Sequence, residues 1–501
     1  MNGAVMKRRI ASLSCTAALL SSSVAFAGGF EYPGAGSEAL GRGAAFTAKA
    51  DDATAFDYNV AGFARQRGTR LMFDSNLIFN SYSFQRTGTY PDSPSNVPYG
   101  GQPFPSVHNS AGPGYVPTVG VSTDFGYFDR WTFAIGLFAP NSVSTRDYGT
   151  TVKLSNGMTA PSPARYDITR IDTVVAYPTL AAAFRATHWL DIGIEASLVY
   201  ANLDLGNASL VYISGGPTGL CKSVEAAACD GITDIKTNTI TGTGALGLMF
   251  HPTRTIDIGL NVRPQININT KGKAYATAPP ALSQVAIMPG AASFDLKMPT
   301  VVRLGIRYAF KAADNFEVGD IELDGDYENW KNAEGNGDQV KIPELDPLQN
   351  LDPTITHHYQ DTGSVRVGGA YNMRLAAGVL TFRAGFFFDS AATKDADTRI
   401  DFDTMAKYAP TVGLGYTVRG ITLNVGYAYI WEPARNVTNG DVRLINGIIQ
   451  GNNDTVLSVG GKPTDVINNG YFQAHNQILS VGLTVAFDDL IGRHRRVIHW
   501  Q

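Results

Sequence analysis

Residues 479–487 read Leu-Ser-Val-Gly-Leu-Thr-Val-Ala-Phe, and this stretch decides the fold. Every odd-numbered residue in it is large and apolar, and every even-numbered residue is small or polar. Because successive side chains of a β-strand point to opposite faces, the pattern predicts a strand with one apolar and one small, polar face. The alternation recurs along the chain, with aromatic residues near the ends of the runs. Such repetition is typical of an outer-membrane β-barrel, whose strands turn apolar side chains to lipid and polar ones to the lumen.

The same alternation predicts fourteen strands and sorts the connections between them by length. Connections after odd-numbered strands are long, such as residues 269–299, and those after even-numbered strands are short, such as residues 187–189. A bacterial barrel requires this order, with an even strand number, short turns at one end and long loops at the other. We therefore predict an all-β, 14-stranded antiparallel transmembrane β-barrel over residues 69–487. The predicted strands are residues 69–86, 117–124, 131–138, 171–186, 190–205, 234–250, 255–268, 300–310, 318–330, 364–372, 378–390, 409–418, 420–431 and 476–487.

The N-terminus has the pattern of a secretory signal peptide. Basic residues 7–9 precede a short apolar stretch, and Ala25-Phe26-Ala27 is a small-x-small cleavage site, so residues 1–27 are predicted to be removed. A lipoprotein signal at Cys15 is the less favoured alternative, because Ser12 stands where a branched apolar residue is expected. The stretch is too short and too rich in serine to span a membrane as a helix.

Charge and cysteine content restrict the partners of the chain. The formal net charge of −4 gives no basic footprint for nucleic acid. Cys221 and Cys229 lie in a glycine-rich connection and, in an oxidising compartment, are predicted to form a disulfide, with two free thiols as the alternative. Since no histidine lies nearby, a metal site is not expected there, and no cofactor is predicted.

Several charged residues fall on the predicted lumen face. They are Arg303 and Arg307 on the eighth strand, Glu322 and Asp324 on the ninth, and Arg366 on the tenth. An arginine facing lipid at mid-depth costs about 2–4 kcal/mol, whereas one facing the lumen can pair across strands. Two hypotheses remain open: these charges hold the barrel and a plug together, or they line a solute path.

Residues 28–68, before the first strand, are not strand-like. Asp51 or Asp52 can cap a short helix that Gly62 ends. The segment is either a flexible periplasmic tail or a plug folded into the lumen, and the plug is favoured because fourteen strands enclose a hole that needs filling. At the other end, residues 488–501 form a basic tail beyond the last strand, predicted to be periplasmic and without an assigned role.

The segment 28–68 resembles the N-terminal hatch of the FadL/TodX family of outer-membrane transporters, and further short matches follow in order along the chain. One departure is that Val60 stands where the family usually has proline. The matching residues are Gly29-Phe30, residues 37–44, 51–53 and 59–61 in the hatch, and residues 136–140, 177–181, 189–193, 298–300, 359–362 and 383–390 in the barrel.

The resemblance implies transport of hydrophobic small molecules, either long-chain fatty acids or aromatic hydrocarbons, by passive diffusion. The solute would pass from an outer groove to an inner pocket and leave sideways through a gap in the wall that a hatch movement opens. Phe30 corresponds to the hatch phenylalanine near the pocket, and Asn59, Val60 and Ala61 to the hatch turn. The third strand resembles the family strand whose kink makes the gap, and Gly136 and Pro140 are residue types suited to interrupting ladder pairing there.

The predicted connection 269–299 is unusually apolar for an extracellular surface. Leu282, Val285, Ile287 and Met288 are candidate ligand-binding residues on that ground. Lys271 and Lys273 flank the stretch and are candidates for holding a carboxylate. The alternative, that the stretch packs on another loop, stays open.

Two other functions compete with hydrophobic transport. A general porin for small polar solutes would lack the hatch and the apolar connection. An outer-membrane hydrolase would need a nucleophile within reach of a histidine, and the best candidate is the pair His357-His358, although no serine lies in a nucleophile-elbow motif. We predict that the chain is not an enzyme. We expect a multi-pass monomer in the bacterial outer membrane, with both termini periplasmic. Its expected partners are a hydrophobic ligand, lipopolysaccharide and, during biogenesis, the barrel-assembly machinery.

Overall fold

The fold is a closed antiparallel β-barrel of fourteen membrane-spanning strands, as predicted. The computed structural model describes residues 31–139, 145–213, 225–280, 287–335, 337–345, 348–351, 354–402, 404–443, 446–449 and 466–490. The barrel closes where the first strand pairs with the last, from Arg70 opposite Ala486 to Arg86 opposite Gly470. Closure pairs the first and last strands, so the sheet has no free edge strand at either end.

Several of the spanning strands extend beyond their predicted ends on the long-loop side. They are β1 Thr69–Arg86, β2 Gly114–Thr123, β3 Trp131–Phe138, β4 Arg170–Arg185, β5 Leu190–Ile213, β6 Asp230–Phe250, β7 Ile256–Arg263 continued by Ile266–Thr277, β8 Gly290–Met298 continued by Val301–Lys311, β9 Glu317–Glu328, β10 Thr362–Leu375, β11 Gly378–Asp389, β12 Lys407–Val418, β13 Ile421–Trp431 and β14 Gly470–Ala486.

Short helices and accessory strands occupy the connections and the N-terminal segment. The helices in the described part of the chain are all too short or too polar to cross a bilayer. The helices and 3-10 turns are Ser37–Gly41, Ala55–Tyr58, Val60–Arg65, Pro94–Asn96, Ala227–Cys229, Trp330–Glu334, Asp395–Asp397 and Phe487–Leu490. The accessory strands are Ser106–His108, Thr145–Asp147, Thr151–Lys153, Thr159–Pro161, Asp338–Leu345, Leu348–Leu351, Thr354–Ile355, Arg435–Val437 and Asn446–Ile449.

The outer surface carries the apolar band that the alternation predicts. In β14, Val481 is 47% exposed while its neighbour Ser480 is buried and donates a hydrogen bond to Asp74. Aromatic side chains mark both edges of the band. Trp189 and Phe250 stack at the short-turn end, and the ring of Tyr408 packs at a tilt between those of Phe388 and Trp431 at the long-loop end. These are the interfacial girdles of a membrane barrel.

The alternation changes phase part of the way along β7 and β8. In β7, Arg263 and Ile266 are both buried although they lie three residues apart, and in β8 Met298 and Arg303 are both buried although they lie five apart. The extra residues sit at Pro264 and Pro299, which lack the backbone N–H that a ladder uses. Pairing between the two strands resumes on the far side, with Ile266 opposite Met298.

This phase change inverts the two faces of the wall. On the short-turn side of the phase change, the outward residues are apolar, and Leu304 and Ile306 are about half exposed. On the long-loop side, Ile268 and Phe294 point inward and are buried, while Asn267 and Asn269 point outward. A strand pair with an apolar inner face and a polar outer face belongs in water rather than in lipid. The prediction of a long loop over residues 269–299 is therefore wrong, because most of it extends the barrel above the membrane.

We expect the inverted faces to respond differently to charge. Ile268→Lys should lower the free energy of unfolding by about 3 kcal/mol or more, because it buries an unpaired ammonium group. Asn267→Lys, the adjacent outward position, should change it by less than about 0.5 kcal/mol. Urea titration of the protein folded into lipid vesicles measures both values. Equal effects of the two substitutions would contradict the phase change.

Candidate hatch and solute path

The N-terminal residues 31–68 fill the barrel, and we call this segment the hatch. Its aromatic side chains Phe46, Phe56 and Phe63 are fully buried. Wall glycines let the hatch backbone approach: a Cβ on Gly368 would overlap the carbonyl of Arg42, and one on Gly259 would overlap the carbonyl of Thr47. Small residues on the lumen face therefore leave space for the hatch backbone to pack against the wall. This explains why one face of the alternating strand pattern in the sequence carries small residues.

Arg42 joins the hatch to the wall through a buried ion cluster. Its guanidinium donates to both carboxylate oxygens of Asp320 at 2.8 and 3.0 Å and to Glu322 at 3.1 Å. None of these three side chains is exposed. Arginine suits this position because its planar fork of donors meets two carboxylates at once.

The predicted lumen acids also receive the hatch backbone. Asp324 accepts hydrogen bonds from the N–H groups of Phe46 and Thr47, both at 2.8 Å. Glu322 accepts one from the N–H of Ala48 at 2.6 Å. Charged acceptors of this kind form strong hydrogen bonds in a low-dielectric interior. They satisfy backbone donors of a segment that has little regular structure of its own.

The predicted lumen arginines all pair with carboxylates. Arg303 lies 3.4 Å from Asp57 of the hatch and 3.5 Å from Asp326 of β9. Arg366 lies 2.7 Å from Asp326. Arg307 pairs with Asp257 at 2.9 Å and with Asp320 at 2.6 Å. Arg303 thus joins the hatch to the wall, whereas Arg307 and Arg366 pair with carboxylates of neighbouring wall strands.

The hatch turn is organised by Asn59. Its side-chain oxygen accepts a hydrogen bond from Ala61 N–H at 3.1 Å, and its amide donates to the carbonyls of Thr47 at 2.9 Å and Leu248 at 3.1 Å. Asn59 therefore caps the 3-10 turn Val60–Arg65 and ties it to β6. Val60 occupies the first position of this turn, where the N–H of the residue has no intrahelical partner and proline is equally compatible.

Gly136 makes room for the hatch and does not interrupt β3. It pairs with Gly120 on one side and Thr179 on the other, so the ladder is continuous there. A Cβ on Gly136 would overlap the ring of Phe56. The prediction that Gly136 breaks strand pairing is therefore wrong, because its missing side chain serves packing instead. Pro140 and Phe30 lie outside the described residues.

An apolar tract runs from the hatch along the inner wall toward the long-loop end. Phe56 of the hatch stacks with Phe138, 6.1 Å between centroids, and Phe138 stacks with Tyr177 at 5.0 Å. The inward residues above the phase change continue the same buried cluster. We call this set the apolar tract; its further members include Leu203, Ile235, Ile266, Ile268, Phe294 and Leu296.

Arg263 marks the lower end of the apolar tract. Its guanidinium lies 5.2 Å from the ring centroid of Phe138 and donates to the carbonyl of Phe56 at 2.8 Å. Glu195 at 3.1 Å and Asp57 at 3.4 Å balance its charge. A solute that reaches this point meets a cation that is already paired.

A polar cavity of about 340 Å³ lies on the other side of the hatch, toward the short-turn end. Its lining includes Glu38, Lys49, Asp52 and Arg383. Burial, followed by the neighbouring Glu38, raises the pKa of Asp52 to about 7. The two sides of the hatch thus differ sharply: one is apolar and the other is charged.

The wall contains an unpaired seam between β6 and β7. Pairing runs from Ile232 opposite Thr277 to Asn238 opposite Lys271, and then resumes at Leu246 opposite Val262. In the described chain, residues 239–245 of β6 therefore have no ladder partner on the β7 side. Backbone groups left unpaired at membrane depth are tolerated only where they line a cavity or water. The seam lies beside Arg263, at the lower end of the apolar tract.

The candidate ligand residues of connection 269–299 do not converge on one site. Lys271 and Lys273 point outward, away from the apolar tract, because of the phase change at Pro264. Their predicted role in holding a carboxylate in a groove does not fit this position. Ile287 packs against the apolar tract and Met288 is 62% exposed, whereas Leu282 and Val285 lie outside the described residues.

Two further features were predicted from the sequence, a disulfide at Cys229 and a candidate catalytic histidine at His357. Cys229 is disulfide-bonded, and Cys221 lies outside the described residues. His357, the candidate catalytic histidine, is buried and lies 2.9 Å from Asp401 in the long-loop region. Burial opposes its charged form, but Asp401 outweighs this and raises the pKa of His357. The described residues contain no group of three or more potential metal ligands.

The fold and its contents define a class of protein: an outer-membrane transport barrel with an internal plug. The model of the family described as outer membrane protein transport protein (OMPP1/FadL/TodX) matches residues 18–459, and the chain belongs to that family. The resemblance noted in the sequence is thereby confirmed. The hydrolase alternative is not favoured, since the family and its solved relatives are transport proteins.

Solved structures share the fold at low sequence identity. A Pseudomonas aeruginosa FadL homologue matches with a TM-score of 0.68 at 16% identity, covering 92% of this chain and 100% of its own. The toluene transporter TodX of P. putida matches at 0.62 and 17%, covering 91% and 99%. The toluene transporter TbuX of Ralstonia pickettii matches at 0.61 and 17%, covering 90% and 98%. No curated protein sequence matches the chain.

We expect the hatch to depend on its buried ion cluster. Arg42→Ala should lower the free energy of unfolding by about 3–5 kcal/mol, because it leaves Asp320 and Glu322 buried without their cation. Arg374→Ala breaks a similar pair with Asp314 whose side chains are 54% and 53% exposed, and should cost at most about 1 kcal/mol. Urea titration in vesicles compares them. Similar losses for both variants would show that the buried cluster does not anchor the hatch.

Proposed function

We propose that this protein carries hydrophobic small molecules, either aromatic hydrocarbons or long-chain fatty acids, across the outer membrane by passive diffusion. The observation that carries the proposal is the apolar tract, a buried apolar cluster inside the barrel that extends from the long-loop residues Trp330 and Tyr359 to Phe56 of the hatch. Water-filled porins have polar interiors, and a lumen lined by Ile268, Phe294 and Leu296 gains nothing from carrying polar solutes. Family membership supports the same conclusion.

The orientation in the membrane follows from the connections. The long loops face the outside and the short turns the periplasm, so both termini are periplasmic. Residues 1–27 are removed as a signal peptide, and residues 488–501 remain as a periplasmic tail. The barrel works as a monomer, since each chain closes its own sheet and holds its own hatch. The barrel-assembly machinery inserts it, and lipopolysaccharide surrounds its outer half.

A sideways exit fits the polarity of the interior better than a downward one. Below the hatch, a hydrophobic solute would have to enter the cavity lined by Glu38, Lys49 and Arg383, where it loses its apolar contacts. The seam between β6 and β7 opens the wall beside the lower end of the apolar tract instead. A small movement of the hatch at Asn59, which is tied to β6 by its bond to Leu248, is suited to control access to the seam.

The charges around the apolar tract favour an uncharged solute. Arg263 is neutralised by Glu195 and Asp57, and Lys271 and Lys273 point away from the lumen. A carboxylate drawn into the tract would lose its hydration without gaining an unpaired cation among the described residues. Aromatic hydrocarbons are therefore the favoured substrates of the two classes.

Uptake by cells tests the proposal. Radiolabelled toluene should enter faster in cells that produce the protein, and Phe294→Gln should reduce that uptake several-fold because it places an amide in the apolar tract. Ser293→Gln, which faces outward on the same strand, should leave uptake unchanged, and Phe294→Leu should retain it. Deletion of residues 28–62 should let small sugars leak through the barrel. Leakage of sugars through the intact protein, without uptake of toluene or a fatty acid, would favour the porin alternative.

The seam gives a second prediction. Gly242 faces outward in the unpaired part of β6, and a Cβ there would meet only the carbonyl of Ser197, at 3.8 Å. Gly242→Phe should therefore fold normally and reduce toluene uptake several-fold by covering the seam. Gly325→Phe is the matched control, because Gly325 is an equally open outward glycine in a fully paired stretch. Equal uptake by the two variants would contradict an exit at the seam.

A further inference from the structure

The phase change that turns apolar residues of β7 inward also turns Lys271 and Lys273 outward, beside two other exposed lysines of the outer wall. Lys236 of β6, Lys271 and Lys273 of β7, and Lys341 of the neighbouring accessory strand Asp338–Leu345 are all exposed. We call these four residues the lysine patch. They are neighbours in the ladder: Lys236 lies opposite Lys273, Lys271 opposite Ser293, and Ser293 opposite Lys341.

The spacing of the patch suits a compact anion. Adjacent strands are about 4.8 Å apart and alternate residues of one strand are about 7 Å apart. The four ammonium groups, on long flexible stems, can therefore converge within about 10 Å of one another. Three anionic oxygens of a phosphate can bind several such groups together.

The four lysines outnumber the outward carboxylates beside them, which are Asp204 on β5, Asp234 on β6 and Asp295 on β8. Lys236 lies 3.5 Å from Asp204, but Arg170 already holds that carboxylate at 2.6 Å. No ion pair joins Lys271, Lys273 or Lys341 to a carboxylate of the described residues. Like charges placed directly opposite each other across strands, as Lys236 and Lys273 are, destabilise a sheet. An external anion would relieve that repulsion.

The height of the patch places it beside lipid headgroups. On β5 and β6 the outward apolar band ends at Tyr200, which lies opposite Ile240. The next outward pair, Asn202 and Asn238, is polar, and Asn238 lies opposite Lys271. The lysines therefore lie one or two outward-facing residues beyond the end of the apolar band, on the side of the long loops. Elsewhere along this rim the outward residues are aromatic, as in the stack of Phe388, Tyr408 and Trp431.

We propose that the lysine patch is a binding site for the phosphate groups of a phosphorylated glycolipid of the outer leaflet. Clusters of basic residues at this level bind anionic lipid headgroups through charge and direct hydrogen bonds. A headgroup bound there would lie beside the upper end of the unpaired stretch between β6 and β7, where Lys271 is opposite Asn238. The inference rests on the proposed function only for the outward orientation of the long loops.

Native mass spectrometry of the detergent-purified protein tests the site. The probes are lipid A carrying both phosphates, the same lipid with its phosphates removed, and inorganic phosphate. We expect the phosphorylated lipid to bind, and Lys271→Gln/Lys273→Gln to weaken binding about 10- to 30-fold. The matched control Lys153→Gln/Lys394→Gln removes the same charge from exposed lysines outside the patch and should bind as the unchanged protein does.

Each contrary outcome identifies what fails. Equal binding by both double variants, or equal binding of the dephosphorylated lipid, overturns the site. Binding of inorganic phosphate with no added affinity for the lipid overturns the assignment to a lipid headgroup. Heat-modifiable migration in gels verifies that each variant is folded. Toluene uptake, measured separately, tests the proposed function without involving the patch, since both double variants should transport normally.

Discussion

The loss of strand alternation at Pro264 and Pro299 is the constraint on which the rest of the structure depends. Two neighbouring strands change phase at the same height, so Ile266 and Met298 remain paired while both faces of the wall exchange character. Because proline cannot donate to a ladder, the break falls where pairing is already interrupted. The apolar inner face and polar outer face of β7 and β8 above the membrane follow from this one irregularity, and the unpaired seam lies beside it.

The hatch depends on a second principle, the satisfaction of buried charge. Wall carboxylates that would be costly in an empty lumen are paired with Arg42 or receive hatch backbone donors, as at Asp324. The buried polar groups of the hatch and of the wall therefore satisfy one another, and in either part alone these groups would lack their partners.

Much of this was predictable from the sequence, and the rest was not for physical reasons. Side chains alternate between the two faces of a strand with a period of two residues. From this period follow the pattern in β14, the order of long and short connections, and the lumen positions of Arg303 and Glu322. The phase change was missed because Ile266, Asn267, Ile268 and Asn269 alternate as well as any strand, but with the opposite face inward. Which face is inward depends on the register with neighbouring strands, and a single sequence does not state it.

The role of Gly136 was mistaken for a related reason. Glycine in a strand is compatible with broken pairing and with close approach of another segment, and only the position of Phe56 distinguishes them. The lysines at 271 and 273 were placed in a groove because their strand was interpreted as a loop. In each case the residue type was recognised as unusual, but its partner came from a distant part of the chain.

The central claim is that the apolar tract is where the solute binds. A crystal structure of the protein soaked with a halogenated aromatic hydrocarbon tests this most directly, because anomalous scattering locates the halogen. We predict that it lies beside Phe294, Phe138 or both, on the long-loop side of the hatch. A halogen found only in the polar cavity near Glu38 and Lys49, with the apolar tract empty, would contradict the account.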